Sequence, residues 1–465
     1  MKKKLLFLSA IEGAAVMCAE LCGARLLAPV FGNSLHVWAA VMGITLAALA
    51  SGYFFGGRFE VNRQQKALRL LLILASLYLL LMPLISRYLL PVFIDLPFTP
   101  GMMISTLMLL LPPIFFLGAT SPLLIAIQTK QRADAGKVSG TVYAVSTAGG
   151  ITSTFLCGFW MIPDLGLDLS LLIHGTLLLA ATLFIVRGSK IPALLMAGGI
   201  VIATWKPVVR PGLLFAADGI QGKIEVLDVK NGDKTFRRLL LNGIIQSESL
   251  MPSGESSLQY TAMLDSLLPE GSGGKAALLG GGGGQMAQIL KKKGFRCRVV
   301  EFDKRMIYVA RTFFAMGEDI EIINADARHF LNTDTSVYDL LVADLFHAEE
   351  QPSHIFTLES LRALKKNLSP SARIYLNWHG YINGNKGEGT RLLLNTFSQA
   401  GYNTKLYYTG PLPDYRNIII LAMPAEAPPQ SSGKVNRDFR PALEKYNAPA
   451  NKEWRRNYLR YMRES

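Results

Sequence analysis

The sequence predicts a two-part protein: a multi-span α-helical membrane domain, followed by an α/β domain with a small N-terminal β element and a doubly wound, Rossmann-like sheet. Half of the 465 residues are hydrophobic and the mean hydropathy is positive, which is too apolar for a purely soluble chain. In the second half, apolar strands alternate with amphipathic helical stretches, and five successive glycines, Gly280 to Gly284, follow one of these strands.

Six stretches in the first half are long and apolar enough to cross a bilayer, which takes roughly 18 to 28 residues. They lie at 5–30, 35–57, 70–93, 102–128, 138–162 and 169–186. The basic N-terminus resembles the start of a signal peptide, but Glu12 interrupts the apolar run and no convincing cleavage site follows, so we expect a retained helix. A further apolar run, 191–205, is short for a span, which leaves six or seven crossings.

The positive charge is concentrated in the apolar half of the chain. Residues 1–210 contain 16 Lys and Arg against 7 Asp and Glu, whereas residues 211–465 contain 32 against 27. Basic residues in short loops between spans are typical of membrane orientation rather than of a nucleic-acid-binding face, so no nucleic-acid partner is expected. The positive-inside rule places these loops in the cytoplasm of a bacterial-type inner membrane. Six spans would leave the second domain cytoplasmic, and seven would make it periplasmic.

The four cysteines show no metal-ligand or disulfide spacing. Cys18, Cys22 and Cys157 lie in apolar spans, and Cys297 lies in the domain that contains the glycines. We therefore expect neither a disulfide framework nor a metal site.

Composition and turn signals divide the chain into four segments. Residues 1–210 form the membrane domain, 211–265 the small β element, 266–425 the nucleoside-binding domain, and 426–465 a loose basic tail. A hairpin is predicted around Asn231-Gly232-Asp233 within the β element.

Three acidic residues follow predicted strands of the sheet: Glu301, Asp326 and Asp344. Ligands of such sheets bind beyond the carboxyl ends of the strands, and an acid about 20 residues after a glycine turn can accept hydrogen bonds from both ribose hydroxyls. Glu301 has that spacing, Asp326 is placed to accept from an adenine amino group, and Asp344 lies at the reacting end. A single strand-end Asp is commonly only a helix cap. Together with the glycines, the three acids favour S-adenosylmethionine or a relative as ligand.

The chain resembles the membrane-fused spermidine synthases, polyamine aminopropyltransferases with an N-terminal multi-span domain. In the first half, the matching stretches are Ala24 to Pro29 with Phe31-Gly32, Gly52-Tyr53 with Gly56-Gly57-Arg58, Leu117-Gly118 with Ser121-Pro122-Leu123, and Gly140 to Gly149. In the second half, they are Leu241-Asn242-Gly243 with Gln246-Ser247, Tyr260, the glycine run, Val300 to Asp303, Asp326-Ala327, Tyr338-Asp339 leading to Asp344, and Tyr415-Arg416-Asn417.

The resemblance implies a methyltransferase-type sheet and an enzyme that moves an aminopropyl group from decarboxylated S-adenosylmethionine, a co-substrate, to an amine such as putrescine. It implies that Asp344 orients the attacking amine and helps to remove its proton, and that Tyr260 borders the amine. The residues that it places around the donor are Gln246, Gly280, Gly282, Gly284, Glu301, Asp326 and Ala327.

Two positions depart from the family pattern. Gly283 stands where the soluble enzymes carry an Asp that holds the aminopropyl ammonium group. His347 stands where they carry a second Asp, and it is either an alternative base near the substrate or an ordinary loop histidine. The donor is therefore open between S-adenosylmethionine and its decarboxylated form, and the amine acceptor is not fixed.

Two other functions stay open: a methyltransferase that uses S-adenosylmethionine, and a non-catalytic sensor or transporter of polyamines or nucleosides. The nucleoside donors are made in the cytoplasm, so we expect the second domain on that side. The lipid bilayer and the small-molecule substrates are the expected partners. The oligomeric state is open, with a homodimer as one option.

Overall fold

The computed structural model describes residues 2–129, 131–186, 197–200, 211–219, 221–409, 416–425 and 433–464. Contacts between residues divide the chain into two compact units, one formed mainly by Met1–Val209 and the other mainly by Lys223–Met462. The apolar run 191–205, on which the choice between six and seven spans depends, lies outside the described residues except for 197–200.

The first unit is α-helical. Its helices are α1 (Lys2–Phe31), α2 (Leu35–Gly56), α3 (Gln64–Tyr88), α4 (Phe98–Gln128), α5 (Ala135–Leu156) and α6 (Gly166–Ile185). Among the described residues, five helical segments are long and apolar enough to cross a membrane, and the last of them, Ala135–Ile185, contains 51 residues. Within this segment, a π-helical stretch, Cys157–Leu165, joins α5 to α6.

The chain reverses direction between α5 and α6. The Ser153 hydroxyl lies 3.0 Å from Nε2 of His174, although the two residues are 21 positions apart. In one straight helix that separation would be about 30 Å. Gly166, at the start of α6, has φ +84°, a conformation that favours glycine. The fifth and sixth expected spans are therefore two antiparallel helices within one apolar segment.

Small residues allow α1 and α5 to pack with their backbones close together. A Cβ on Gly13 would lie 2.0 Å from the backbone oxygen of Ser146, and one on Gly149 would lie 2.0 Å from that of Ala10. The carboxylate of Glu12, which is only 2% exposed, accepts a hydrogen bond from the Ser146 hydroxyl at 2.9 Å. A serine of the neighbouring helix therefore satisfies this buried acid.

The second unit begins with a four-stranded sheet of order β1-β2-β3-β4. Its strands are β1 (Leu213–Ala217), β2 (Ile224–Asn231), β3 (Lys234–Leu241) and β4 (Ile244–Met251). The predicted hairpin joins β2 and β3, where Gly232 takes φ +59°.

The rest of the unit is built around a seven-stranded sheet of order β10-β11-β9-β8-β5-β6-β7. Its strands are β5 (Lys275–Leu279), β6 (Arg296–Glu301), β7 (Glu321–Asn324), β8 (Tyr338–Ala343), β9 (Leu368–Gly380), β10 (Tyr402–Tyr408) and β11 (Arg416–Pro424). The helices around it are α7 (Gln259–Leu267), α8 (Gln285–Lys292), α9 (Lys304–Phe313), α10 (Ala327–Thr333), α11 (Leu358–Leu364), α12 (Glu388–Gln399) and α13 (Leu443–Glu464).

This sheet confirms the predicted fold class. The strands β7, β6, β5, β8 and β9 are parallel neighbours, and β11 is antiparallel to β9 and to β10. Alternate residues of the central strand β5 enter two different cores: Ala277 and Leu279 pack in one, and Ala276 and Leu278 in the other. The sheet is therefore covered on both faces, as a doubly wound fold requires.

The chain places the ends of β5 and β8 side by side at the point where the strand order reverses. β5 pairs with β6 on one side and with β8 on the other. Crevices at such a point are where ligands of these folds bind.

The C-terminal segment differs from the expected loose tail. Residues Leu443–Glu464 form helix α13, and Arg455 in this helix is 1% exposed. The helix is held by buried polar contacts that its basic composition does not reveal. Residues 426–432 lie outside the described part of the chain.

Candidate active site

The glycine turn, Gly280–Gly284, connects β5 to α8 and brings the backbone very close to the end of β8. Gly280 has φ +91°, and a Cβ there would lie 2.2 Å from the backbone oxygen of Asp344. Gly284, which caps α8, has φ +84°, and a Cβ there would lie 2.7 Å from the sulfur of Met316. Both positions therefore require glycine, for conformation and for space.

Glu301 ends β6 and its carboxylate is fixed by backbone donors. The N–H of Gly281 donates to Oε2 at 2.9 Å, and the N–H of Asp303 donates to Oε1 at 2.8 Å. Burial raises the pKa of Glu301 above its ordinary value, and these two hydrogen bonds act against that rise. Each carboxylate oxygen keeps a further lone pair. The arrangement suits a vicinal diol, which needs two acceptors side by side.

Asp326 caps a helix. It precedes α10, and its Oδ1 accepts a hydrogen bond from the N–H of His329 at 3.0 Å. Its Oδ2 lies 3.3 Å from Nε2 of His354. Burial opposes the change, but the contacts with His329 and His354 hold the pKa of Asp326 below its ordinary value. Ala327 is the first residue of α10 and is buried. A nucleobase bound at Asp326 would share Oδ2 with His354. His354 was not among the site residues predicted from the sequence.

Asp344 directly follows β8 and is held by three hydrogen bonds. Its backbone N–H donates to the carbonyl of Leu279 at 2.9 Å. The Tyr260 hydroxyl donates to Oδ2 at 3.0 Å, and the amide of Asn377 donates to Oδ1 at 2.8 Å. Asn377 is itself positioned by Asn417, whose amide donates to its oxygen at 2.7 Å. The carboxylate is therefore locked in one orientation.

The environment of Asp344 suits a proton acceptor. Burial raises the pKa of Asp344 above its ordinary value, while the hydrogen bonds from Asn377 and Tyr260 limit the rise. Burial and the charge of Asp344 hold the pKa of Tyr260 well above its usual range, so Tyr260 keeps its proton and remains a donor. A carboxylate with a raised pKa takes up a proton more readily at neutral pH than an exposed Asp.

Neither amide of this network was predicted as a site residue, although Asn417 belongs to the matching stretch Tyr415-Arg416-Asn417. Asn377 is a polar residue in an otherwise apolar strand, which is a signal that the sequence carries. Asn417 is the second residue of the antiparallel strand β11, and its contact with Asn377 depends on the pairing of β11 with β9.

Gln246 contacts the loop after Asp344, and His347 is part of that loop. The amide of Gln246 donates to the carbonyl of Ala348 at 3.2 Å, so it anchors this loop. His347 lies in a tight turn in which its N–H donates to the carbonyl of Glu350 at 2.7 Å. Ala348 has φ +59°, which the turn imposes.

The nearest side chains to Gly283 are neutral. A Cβ at this position would lie 2.7 Å from Oε1 of Gln285 and 3.0 Å from Cβ of Ser247. The Gln285 amide is buried and donates to the Ser249 hydroxyl at 2.6 Å, and the N–H of Gly283 donates to the Ser247 hydroxyl at 2.8 Å. An amide oxygen therefore lies where a side chain at residue 283 would begin.

Helix α13 supports the loop that follows Asp344. Arg455 forms a buried ion pair with Glu349, and it also donates to the carbonyl of Asn242 at 2.9 Å. The ring of Trp454 lies 5.7 Å from that of His379, and the His379 ring lies 4.8 Å from that of Phe346. Burial lowers the pKa of His379 to about 4, so this ring packs in its neutral form.

Of the predicted site residues, the structure brings Tyr260 to Asp344 and the glycine turn to Glu301 through direct hydrogen bonds. Gln246 reaches the loop after Asp344, and Gly282 lies beside Ser247. Asp326 is linked to this group through the backbone, since the N–H of Ala325 donates to the carbonyl of Glu301 at 3.2 Å. The predicted residues thus line one edge of the sheet.

Comparison with known proteins gives structural matches only. No protein-family model matches the chain, and no curated protein does. A probable spermidine synthase from Corynebacterium glutamicum is 17% identical over 54% of this chain and 94% of that chain, with a TM-score of 0.39. Spermidine synthase from Thermotoga maritima is 15% identical over 51% of this chain and 88% of that chain, with a TM-score of 0.35.

A third match belongs to another reaction class. Human methyltransferase-like protein 13 in complex with SAH is 15% identical over 44% of this chain and 93% of that chain, with a TM-score of 0.31. At these identities and TM-scores, the matches carry no functional argument, and the fold assignment rests on the strand order of the sheet.

Proposed function

We propose that the second unit is a transferase for an adenosyl donor, and that it moves an aminopropyl group from decarboxylated S-adenosylmethionine to an amine such as putrescine. The observation that supports this most is the Asp344 carboxylate, which Tyr260 and Asn377 fix beside the glycine turn. A base held in one orientation next to a nucleoside pocket can both position an amine and accept its proton.

The donor would bind across the glycine turn. Glu301 offers an acceptor on each carboxylate oxygen to the two ribose hydroxyls, and Gly281 keeps that carboxylate in place. Asp326 would accept from the adenine amino group with the oxygen that faces His354. Gln246, Gly282 and Gly284 would border the donor, and Ala327 would lie beside its adenine ring.

The reaction balances with one proton acceptor. Asp344 takes a proton from the ammonium group of the acceptor, which frees the nitrogen lone pair. The nitrogen attacks the carbon next to the sulfonium, a carbon–nitrogen bond forms, and the carbon–sulfur bond breaks with its electron pair going to sulfur. The products are a secondary ammonium ion and neutral methylthioadenosine, and Asp344 releases its proton to water. Tyr260 and His347 would border the acceptor, with His347 as a second candidate base.

Methyl transfer from S-adenosylmethionine is the second candidate, and the neutral side chains nearest to Gly283 favour it. Gln285, Ser247 and Ser249 supply an amide and hydroxyls there, but no carboxylate to bind the free ammonium group of an aminopropyl chain. An amide and hydroxyls can also bind the amino-acid end of intact S-adenosylmethionine. A non-catalytic polyamine or nucleoside sensor, or a transporter, is the third candidate.

We place the enzyme in the inner membrane of a bacterial-type cell, anchored through its apolar helices, with the second unit in the cytoplasm where the donors are made. An alkaline phosphatase fusion after Pro211 is expected to be inactive. Phosphatase activity would put the second unit on the periplasmic side. A homodimer is compatible with this arrangement.

Calorimetric titration of the full-length protein in detergent tests the proposed donor. Decarboxylated S-adenosylmethionine, S-adenosylmethionine and methylthioadenosine are each titrated into the natural protein, Asp344→Asn and Asp319→Asn. Asp319 is an exposed control that pairs with Lys291 away from the site. Preference for the decarboxylated donor or methylthioadenosine supports aminopropyl transfer, preference for S-adenosylmethionine supports methyl transfer, and binding of none contradicts both.

A further inference from the structure

Three helices of the first unit bring thiols and an imidazole together. The sulfur atoms of Cys18 and Cys157 and a ring nitrogen of His174 all lie within 4.8 Å of one another, and all three residues are buried. Cys18 belongs to α1, Cys157 begins the π-helical stretch after α5, and His174 belongs to α6. More than 130 positions separate Cys18 from the other two, so the sequence contains no local metal-binding motif.

The histidine is held in the form that binds metals. Its Nδ1 lies 2.9 Å from the backbone carbonyl of Ser170, which only accepts, so Nδ1 carries the proton. The other nitrogen, Nε2, lies 3.0 Å from the Ser153 hydroxyl and keeps its lone pair. A backbone carbonyl that fixes the tautomer and orientation of a ligating histidine is a common outer contact of metal sites.

We propose that Cys18, Cys157 and His174 form a zinc-binding site inside the helical bundle. Thiolate and neutral imidazole are the ligands that Zn²⁺ takes most often in proteins. With Zn–S bonds of about 2.3 Å and a Zn–N bond of about 2.0 Å, tetrahedral zinc puts its ligand atoms about 3.5–3.8 Å apart. The ligand atoms here lie within 4.8 Å of one another, so small shifts are enough to close the site on the ion. Ser153 is close enough to act as a neutral fourth ligand, since its hydroxyl lies 3.0 Å from Nε2 of His174 and 3.7 Å from the sulfur of Cys157.

The net charge of the complex favours Zn²⁺ over Cu⁺ at this site. Two thiolates and one neutral imidazole balance the two positive charges of Zn²⁺, so the complex is neutral in a bundle where an uncompensated charge is costly. The same ligands would leave a net charge of −1 with Cu⁺. Cys22 lies 3.9 Å from Cys18, sulfur to sulfur, but a third thiolate would also leave the zinc complex with an excess negative charge. We therefore place Cys22 beside the site and not among its ligands.

The site would join the helices on which it lies. Zinc binding releases the protons of the two thiols, including the one that Cys18 directs to the carbonyl of Ser170 at 3.8 Å. The metal then replaces weak thiol contacts with three strong bonds between α1, the start of the π-helical stretch, and α6. The expected role is to fix the packing of these helices.

The test measures metal content in the full-length protein, purified in detergent through a tag without histidines from cells supplied equally with zinc and copper. We expect about one zinc per chain for the natural protein and for Cys297→Ser, the control cysteine outside the cluster. Cys18→Ser, Cys157→Ser and His174→Gln are expected to lose zinc to background, whereas Cys22→Ser keeps it. X-ray absorption at the zinc edge of the natural protein gives the ligands without any substitution: two sulfur atoms with nitrogen and oxygen.

Several results would overturn the proposal. These are a natural protein without zinc, zinc that survives loss of both Cys18 and Cys157, copper in place of zinc, or a Cys18–Cys157 disulfide found by mass spectrometry. Loss of zinc from Cys22→Ser would contradict the assignment of two thiolates. The zinc measurements do not depend on transferase activity, so their outcome is independent of the proposed reaction.

Discussion

Asn377 donates a hydrogen bond to the Asp344 carboxylate at 2.8 Å, although 33 residues separate the two in the chain. The Asn377 amide is oriented in turn by Asn417 from the neighbouring strand. This contact makes the basicity of Asp344 depend on the pairing of β9 with β11.

Replacement of Asn377 by Ala tests this dependence. The hydrogen bond from Asn377 lowers the pKa of Asp344, so its loss raises that pKa further. A hydrogen bond to a charged group contributes about 1.5–3 kcal/mol, which corresponds to about one to two pKa units. Because the base must be deprotonated, the acidic limb of the kcat/KM profile is expected to move to higher pH by that amount. Asn332→Ala, an exposed control, should leave the profile unchanged. An unshifted limb in Asn377→Ala would show that Asp344 does not set it.

Glu301→Gln is expected to weaken nucleoside binding. Glu301 accepts from two backbone N–H groups with its two oxygens, whereas Gln has one oxygen and turns an NH2 group toward the other donor. With only one acceptor oxygen, Gln would also lose the charge-assisted bond to one ribose hydroxyl, which is worth about 1.5–3 kcal/mol, or about 10- to 150-fold in affinity. Calorimetry with methylthioadenosine measures the change. Glu321→Gln, an exposed residue on β7, is the control, and equal affinities in the two variants would argue against a nucleoside at Glu301.

Gly280→Ala separates the effect of a clash from that of conformation. Gly280 and Gly273 have similar φ values, +91° and +85°, but a Cβ on Gly280 would overlap the backbone of Asp344, whereas one on Gly273 meets nothing within 4 Å. Gly273→Ala is expected to destabilise the fold by about 1 kcal/mol through strain alone. Gly280→Ala should cost more and should also abolish nucleoside binding, as thermal unfolding and calorimetry would show. Equal stability and equal nucleoside binding in the two variants would show that a Cβ at residue 280 does not clash with the backbone of Asp344.

The Arg455 and Glu349 pair predicts a strong dependence of the second unit on helix α13. Both side chains are almost fully buried, and removal of one partner from a buried ion pair costs about 3–5 kcal/mol. Arg455→Met should therefore lower the Tm of the full-length protein sharply. The double replacement with Glu349→Met should recover much of the loss, because no charge is left alone. If Arg455→Met has the same Tm as the natural protein, helix α13 does not support the site as described.

The sequence was sufficient for the parts of the site that depend on local order. A strand, a glycine turn, a helix and a second strand that ends in Glu301 follow one another within the 27 residues 275–301, so their geometry is fixed by chain connectivity. Asp344 could be placed because it ends an apolar strand of the same sheet. Asp326 shows the limit of this reasoning, since the carboxylate that was assigned to adenine is also an ordinary helix cap.

Contacts between distant segments could not be read from residue patterns. Asn377 and Asn417 are neutral amides whose role arises only when β11 pairs with β9. The basic segment that contains Arg455 has the composition of a loose tail, and Arg455 is buried against partners far away in the chain, Glu349 and the carbonyl of Asn242. The thiols of Cys18 and Cys157 meet for the same reason, through the packing of helices rather than through spacing.

Turnover of the full-length protein tests the central claim most directly. The natural protein and Asp344→Asn are incubated with decarboxylated S-adenosylmethionine or S-adenosylmethionine and a mixture of di- and polyamines, and the products are identified by mass spectrometry. We predict release of methylthioadenosine only with the decarboxylated donor and an amine, and a loss of about 10²- to 10⁴-fold in Asp344→Asn while donor binding is kept. Formation of S-adenosylhomocysteine instead, or turnover that Asp344→Asn leaves unchanged, would contradict it.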